Sequence, residues 1–132
     1  MPKVFTSEKQ KIGEIGENVA CKFLVKQGFS ILERNYTKKW GEIDIVAEKD
    51  QKIFFVEVKS VKRETLTDIP DDYRAEDNMH PWKLKRLSRT IQTYLLDKKV
   101  PDEKEWQVDL LVVYLDLKSR KARVKVVSDI IL

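Results

Sequence analysis

The sequence of 132 residues has only one cysteine, Cys21, and one histidine, His80. A lone cysteine forms neither an internal disulfide nor a cysteine metal cluster, which fits a reducing cytosol. A lone histidine excludes a metal site built from several histidines. No apolar run approaches the roughly 18 residues that span a membrane, and the N-terminus lacks the apolar core of a signal peptide. We therefore expect residues 1–132 to form a single cytoplasmic domain without membrane contact.

The net charge of +4 is unevenly distributed along the chain. Residues 64–78 contain six acidic residues and one basic residue, whereas residues 79–99 contain six basic residues and one acidic residue. Residues 64–78 show no periodicity and are predicted to form an acidic loop. Basic segments that flank an acidic one could hold a polyanion such as nucleic acid, although a charge of +4 is by itself weak support.

Capping signals and hydrophobic periodicity divide the chain into two helices and five strands. Ser7 begins a capping box (S-x-x-Q) that opens the first helix, and Gly28 ends it. Pro81 opens the second helix, where its missing N–H does no harm. The order αβββαββ predicts an α/β fold in which helices pack on the faces of a central mixed sheet. The strands are predicted at residues 29–36, on both sides of Asp50-Gln51, and at 106–116 and 122–127, the last at a sheet edge.

The stretch GEIDIVAEKDQKIFFVEVKS is predicted to be a hairpin in which charged residues interrupt two apolar strands. A symmetric turn at its centre places Asp44 opposite Glu57, and Glu42 opposite Lys59. Because side chains alternate across a strand, these four charged side chains are expected on one face. The other face would be apolar and would consist of Ile43, Ile45, Ala47, Phe54, Val56 and Val58.

Asp44 and Glu57 would then face each other as two carboxylates, which repel, and burial would strengthen the repulsion. A divalent cation would resolve the conflict, because Mg²⁺ binds one or two carboxylates together with waters and substrate phosphates. The backbone carbonyl of Val58 could add an oxygen ligand, and Lys59 could orient an attacking water beside a phosphate. The pattern therefore favours phosphodiester hydrolysis. A solvated hairpin end whose charges pair across the strands fits the same pattern.

The motifs GEID and VEVK within this hairpin resemble the metal-binding core of the PD-(D/E)xK nuclease superfamily, which has the restriction-endonuclease-like fold. More narrowly, the chain resembles the YraN-like family of predicted bacterial endonucleases, which is related to archaeal Holliday-junction resolvases. The matching segments, in family order, are residues 13–35, 41–50 and 54–60 and, more weakly, 82–95 and 108–113.

The resemblance implies cleavage of DNA that depends on Mg²⁺ or Mn²⁺, and it implies a role for each matching residue. Asp44 and Glu57 are the implied metal ligands and catalytic residues, and Lys59 is the implied catalytic lysine. Glu17 is the implied helix carboxylate directed at the site. Glu42 also matches, and we expect it to support the site by holding Lys59. From the residues alone, Glu17 could equally be a solvated side chain or part of an ordinary ion pair.

Gly13 and Gly16 lie inside the predicted first helix, where each glycine costs about 0.5–1 kcal/mol relative to alanine. A close approach of the helix to the sheet, or of its backbone to a phosphate, would explain why they are kept. A frayed first turn of the helix would explain them as well.

Basic and aromatic residues surround the charged end of the hairpin. One cluster lies just before GEID, another just after VEVK, and a basic stripe recurs every three residues along the second helix. Lysines and arginines at such positions would contact phosphates regardless of base sequence, and the tryptophan could stack on an unpaired base. The predicted nucleic-acid-binding residues are Lys38, Lys39, Trp40, Lys62, Arg63, Lys83, Arg86 and Arg89.

We therefore predict a Mg²⁺-dependent endodeoxyribonuclease that acts on DNA, including branched or flapped structures, with RNA as a further candidate. The YraN-like family usually has a basic or hydroxyl-rich segment after its E-x-K motif, whereas this chain continues into the acidic segment. This departure favours the alternative of a catalytically silent nucleic-acid-binding module that retains the nuclease fold. A protein-interaction domain is a third hypothesis. Because junction-cutting relatives commonly work as dimers, a homodimer is a further expectation.

Overall fold

The computed structural model describes residues 7–63 and 80–132, and it confirms the predicted order αβββαββ. The predicted acidic loop, residues 64–78, lies outside the described residues. Neither helix within the described ranges has the length and hydrophobicity that crossing a membrane requires. The elements are α1 (Glu8–Lys26), β1 (Ser30–Lys38), β2 (Gly41–Lys49), β3 (Lys52–Lys62), α2 (Pro81–Asp97), β4 (Trp106–Asp116) and β5 (Lys121–Val127).

The five strands form one mixed sheet in the order β1-β2-β3-β4-β5. Neighbouring strands are antiparallel except for β3 and β4, which are parallel. A parallel pair needs a long crossover connection, and α2 lies in the connection between these two strands. The predicted mixed sheet and the predicted edge position of β5 are therefore both confirmed.

Each face of the sheet carries its own hydrophobic core, one under each helix. Burying one such aliphatic side chain contributes roughly 1.5–3 kcal/mol, so the two cores fix both helices against the sheet. The α1 face buries Ala20 and Leu24 against Ile45, Ala47, Val56, Leu111, Val113 and Leu115. The α2 face buries Leu87, Ile91 and Tyr94 against Tyr36, Ile43, Val46, Phe55, Val108 and Val112.

The local signals that begin and end α1 act as predicted. The Ser7 side chain accepts a hydrogen bond from the Gln10 backbone N–H at 3.2 Å, which caps the helix. Gly28 follows the helix with φ of +93°, a conformation that glycine adopts without a steric penalty. Gly16 lies so close to the sheet that a Cβ there would overlap the Ser60 side chain, whereas Gly13 has open space around it. Close approach to the sheet therefore explains Gly16 only.

The hairpin of β2 and β3 has the predicted register. Asp50 and Gln51 have φ of 51° and 64°, so they form a two-residue turn with both residues in the left-handed region. The ladder runs from Lys49 opposite Lys52 to Ile45 opposite Val56. A turn of this type matches the twist of the strands and fixes which residues face each other.

The prediction that Ile43 and Ile45 share an apolar face is wrong. Ile45 packs in the core under α1, whereas Ile43 packs in the core under α2. The change of face occurs opposite Asn35 of β1, which lies between the pairs Arg34–Ile45 and Tyr36–Ile43 and has φ of 55°. Asp44 therefore lies between two residues of β2 that face opposite cores.

Candidate active site

The strands β2 and β3 separate at Asp44 and Glu57. Their last ladder pair is Ile45 with Val56. Beyond it, β2 remains paired with β1 as far as Gly41, and β3 remains paired with β4. The predicted cross-strand pairs Asp44–Glu57 and Glu42–Lys59 are therefore not part of the ladder. The prediction was wrong on this point because it assumed that the hairpin stays paired to its end.

Side chains bridge the gap that the separation leaves. The Val58 backbone N–H donates to Asp44 Oδ2 at 2.8 Å, where a fully paired hairpin would use a main-chain acceptor. The N–H and C=O of one residue in an extended strand point to the same neighbouring strand. The Val58 carbonyl therefore points into the gap beside the Asp44 carboxylate, the orientation that its predicted role as a metal ligand requires.

Glu57 is a buried carboxylate with an unsatisfied oxygen. The residue is only 9% exposed, and its Oε1 atom has no hydrogen-bond partner among the described residues. The pKa of Glu57 is raised to about 8, chiefly by burial and also by the charge of Asp44, while the positive charge of Lys83 partly opposes the rise. An unpaired carboxylate oxygen in such a position is costly, and a bound cation would remove that cost.

Asp44 is held in a similar state by its neighbours. Burial is the largest cause that raises its pKa, to about 6, and the charges of Glu17 and Glu42 act in the same direction. The hydrogen bond from the Val58 N–H and the charge of Lys83 lower the pKa. At Asp44, burial and neighbouring negative charge therefore outweigh the effects that lower the pKa.

Two cavities open at the gap, one under each helix, and both are lined by Asp44 and Val58. We call them the α1-side cavity and the α2-side cavity. The α1-side cavity has a volume of about 510 Å³ and is also lined by Glu8, Gly13, Glu17, Lys59, Ser60 and Lys62. The α2-side cavity has a volume of about 450 Å³ and is also lined by Gly41, Glu42, Glu57, Trp82, Lys83 and Arg86.

The structure does not bring the four charged residues of the hairpin into one cavity. Glu42 and Glu57 line the α2-side cavity, whereas the exposed Lys59 lines the α1-side cavity. Asp44 lines both. Lys59 therefore approaches the carboxylate pair from the side of Asp44, and Lys83 of α2 is the cation whose charge acts on both carboxylates.

Glu17 of α1 does reach the site. It lines the α1-side cavity together with Asp44, and its charge raises the pKa of Asp44. Its Oε1 atom accepts hydrogen bonds from Arg34 Nη2 at 3.0 Å and from Asn35 Nδ2 at 2.9 Å. The ordinary ion pair and the position beside the site are therefore both present. Asn35 therefore combines a left-handed backbone, at the position where the faces of β2 change, with a side chain that fixes Glu17.

Two of the three predicted phosphate-binding residues of α2 lie at the α2-side cavity. Lys83 and Arg86 line it. The Arg86 Nε atom donates to the backbone carbonyl of Trp40 at 3.0 Å. Arg89 lies over the Trp40 ring at 4.5 Å from the centroid, which covers one face of the ring that was predicted to stack on a base.

The other predicted nucleic-acid-binding residues are more dispersed. Lys62 lines the α1-side cavity and forms an ion pair with Glu8 at 2.8 Å. Lys39 is exposed. Lys38 lies 3.9 Å from a carboxylate oxygen of Asp97, and Arg63 lies over the ring of Tyr114. Contact of these residues with phosphate stays a prediction.

Trp82 is a site residue that the sequence reasoning missed. It is 58% exposed and lines the α2-side cavity with Asp44 and Glu57. A signal was present, because this large aromatic residue lies outside the buried stripe that includes Leu87 and Ile91. An apolar side chain off the buried stripe of an amphipathic helix is a candidate for ligand contact.

The donor set fits a hard divalent cation such as Mg²⁺ or Mn²⁺. Asp44, Glu57 and Val58 all line the α2-side cavity, and carboxylate and carbonyl oxygens are the ligands that Mg²⁺ prefers. No group of three or more histidine, cysteine, aspartate or glutamate side chains is arranged to hold a metal within the described ranges. Waters and substrate oxygens would therefore complete the coordination, which is usual for Mg²⁺.

The fold and the gap together define a class of protein. A mixed five-stranded sheet in the order αβββαββ, with a helix on each face, is consistent with the restriction-endonuclease-like fold. The chain belongs to the uncharacterised protein family UPF0102, whose family model matches residues 16–127. This is the YraN-like family that the motifs indicated. Membership of this uncharacterised family does not specify a reaction.

Similar proteins are found in Campylobacter species. A UPF0102 protein of Campylobacter jejuni (strain 81-176) is 39% identical over 105 residues, which cover 80% of this chain and 85% of that protein. A UPF0102 protein of Campylobacter fetus is 43% identical over 98 residues, which cover 74% and 79%. One of Campylobacter hominis is 35% identical over 104 residues, which cover 79% and 84%.

Proposed function

We propose that this protein is a metal-dependent endonuclease that hydrolyses DNA phosphodiester bonds. The observation that carries the proposal is the buried pair Asp44 and Glu57 at the point where β2 and β3 separate. Glu57 has a carboxylate oxygen without a hydrogen-bond partner among the described residues, and burial raises the pKa values of both carboxylates. A buried pair of this kind is destabilising unless it binds something positive, which is the usual mark of a functional site.

Each residue of the gap has a role in this proposal. Asp44, Glu57 and the Val58 carbonyl hold the divalent cation, and the hydrogen bond from the Val58 N–H fixes the Asp44 carboxylate. A bound Mg²⁺ or Mn²⁺ ion supplies Lewis-acid polarisation of the phosphoryl group. Glu17, fixed by Arg34, keeps negative charge beside Asp44 and favours cation binding.

Lys59 and Lys83 act on the phosphate from the two sides of the gap. Hydrolysis joins the oxygen of water to phosphorus and breaks the bond from phosphorus to the leaving sugar oxygen, which takes up a proton. Lys59 reaches the gap from the α1-side cavity, where it orients the attacking water and offsets charge that develops on the phosphate. Lys83 and Arg86 hold the phosphate backbone in the α2-side cavity.

A cleavage panel tests the proposal. Duplex, single-stranded, flapped and four-way-junction DNA, together with RNA, would be incubated with the protein in Mg²⁺, in Mn²⁺ and in EDTA. We expect cleavage of at least one DNA structure that requires the metal and is lost in Lys59→Ala, while circular dichroism shows that the variant is folded. Cleavage that survives in Lys59→Ala or in EDTA contradicts the proposed site.

A catalytically silent nucleic-acid-binding module is the second candidate. The observation that favours it is the position of Lys59, which lines a different cavity from Glu57. It predicts binding that weakens steeply with salt and no cleavage of any structure in the panel. Gel-shift titrations at several salt concentrations, run beside the cleavage panel, distinguish the two functions.

A further inference from the structure

Trp82 is an exposed aromatic residue beside the carboxylate pair. It is the second residue of α2, and 58% of it is exposed. It lines the α2-side cavity with Asp44, Glu57 and Lys83. Trp82 does not belong to the hydrophobic core under α2, so packing in that core does not explain an indole beside the buried carboxylates.

Trp82 is supported from one side. The Arg86 guanidinium lies over its ring, 5.5 Å from the centroid, four residues further along the same helix. Arg86 is itself fixed, because its Nε atom donates to the Trp40 carbonyl at 3.0 Å. The ring is therefore held by a cation on one face, and its exposure leaves the other face for a ligand.

The charges around Trp82 specify the ligand. Lys83 and Arg86 supply positive charge at the same cavity, which suits a phosphate backbone. A planar aromatic ring beside such charges is the combination with which proteins bind unpaired nucleobases, because every base has a face that stacks on an aromatic side chain. In a continuous duplex both faces of each base are covered by stacking, so the ring would find no base to contact.

We infer that Trp82 stacks on an unpaired DNA base and thereby directs the carboxylate pair to the phosphate beside that base. The inference rests on the proposed function for the identity of the reaction, and it narrows the substrate class to single-stranded, frayed or flapped DNA. It also transfers the main stacking role from Trp40, one face of which is covered by Arg89, to Trp82.

The inference is tested by comparing the binding of a short poly-dT oligonucleotide with that of a duplex of equal length. Ca²⁺ replaces Mg²⁺ in these measurements so that binding is measured without cleavage. The variants are Trp82→Leu, which removes the ring, and Trp82→Phe, which keeps one. Leu96→Ala is the matched control, because Leu96 is an 81% exposed apolar residue near the other end of the same helix. A poly-rU oligonucleotide distinguishes RNA from DNA as the source of the base.

We expect Trp82→Leu to weaken poly-dT binding roughly tenfold and Trp82→Phe to weaken it less. Neither variant should change the binding of the duplex. Quenching of indole emission by poly-dT should be largely lost in both variants and kept in Leu96→Ala. Equal weakening of poly-dT and duplex binding by Trp82→Leu, no weakening of either, or binding of poly-rU alone overturns the inference. Failure of the proposed function is separate, since it would leave Trp82-dependent binding intact and show no cleavage in Mg²⁺.

Discussion

The α1-side and α2-side cavities share Asp44 and Val58, but they differ in how far the protein satisfies its own charges. In the α1-side cavity, Glu17 is bonded to Arg34 and Asn35, and Glu8 is paired with Lys62. In the α2-side cavity, Glu57 has a buried oxygen without a hydrogen-bond partner among the described residues, and Trp82 exposes most of its surface.

This difference assigns different tasks to the two sides. A carboxylate that is already paired gains little from a ligand, whereas a buried unpaired oxygen gains much. We therefore expect the cation, the phosphate and the base to bind in the α2-side cavity. The α1-side cavity fixes Asp44 through its neighbours and supplies Lys59.

The largest expected effect is that of Asp44→Asn, because Asp44 belongs to both cavities. The change keeps the shape of the side chain and an oxygen that can accept from the Val58 N–H, but it removes the charge. We expect cleavage of the preferred DNA to fall roughly a thousandfold, with the fold retained, because preorganised charge is lost. Rates would be measured under single-turnover conditions.

Glu48→Gln is the control for this prediction. Glu48 lies on the same strand, pairs with Lys104 at 3.0 Å and lines neither cavity at the gap. It should keep its rate within about twofold. A similar loss in Asp44→Asn and Glu48→Gln would show that charge anywhere on β2 matters and would remove the special position of the gap.

The two lysines should separate chemistry from binding. We expect Lys59→Ala to lower the single-turnover rate roughly a hundredfold at saturating protein, because Lys59 acts on the reacting water and phosphate.

Lys83→Ala should instead weaken DNA binding roughly tenfold and reduce its salt dependence. Lys85→Ala, on the same helix but outside the α2-side cavity, is the control. Interchanged effects would mean that Lys83 is the catalytic lysine.

The buried carboxylate should make stability depend on pH in a distinctive direction. The pKa of Glu57 rises from its ordinary 4.5 to about 8 in the folded protein, chiefly through burial. Between these values the folded state binds more protons than the unfolded state, so stability decreases as pH rises. With EDTA present, we expect urea denaturation to show a loss of several kcal/mol in the free energy of unfolding across this range.

Glu57→Gln is the comparison for that measurement, because a neutral amide cannot titrate. The decrease in stability with pH should be clearly smaller in this variant, with a residual contribution from Asp44, whose raised pKa of about 6 acts in the same direction. A wild-type protein whose stability rises with pH across the same range would contradict the buried position of the pair.

The smallest expected effects concern the two glycines of α1. An added Cβ at Gly16 would lie 2.7 Å from the Ser60 Cβ atom, so helix and strand must shift. We expect Gly16→Ala to destabilise the protein by about 1 kcal/mol, since overpacking outweighs the gain in helix propensity. Gly13→Ala meets nothing within 4 Å and should stabilise it by roughly 0.5–1 kcal/mol. Urea denaturation measures both, and changes of equal sign would contradict this packing of α1.

Much of the fold could be predicted from local signals. The Ser7 cap, Gly28, Pro81 and the turn at Asp50-Gln51 each act within a few residues, so the sequence pattern was sufficient to place α1, α2 and the hairpin. The ladder register followed from the turn, because a two-residue turn leaves only one pairing of the flanking strands.

The form of the candidate site depended on contacts that no local pattern contains. The separation of β2 from β3 involves Asn35 on a third strand, whose left-handed backbone coincides with the change of face in β2. The division into two cavities follows from packing of α1 and α2 on opposite faces. Trp82 was missed for the same reason, because only the tertiary structure brings the start of α2 beside Glu57.

Titration calorimetry with Mn²⁺ at neutral pH is the decisive measurement for the proposed site. Asp44 and Glu57 should form a divalent-cation site where β2 and β3 separate. We predict saturable binding by the wild-type protein that is lost in both Asp44→Asn and Glu57→Gln and kept in Glu48→Gln. Absence of binding by the wild-type protein, or binding of unchanged affinity in the two site variants, would mean that these carboxylates do not form a cation site.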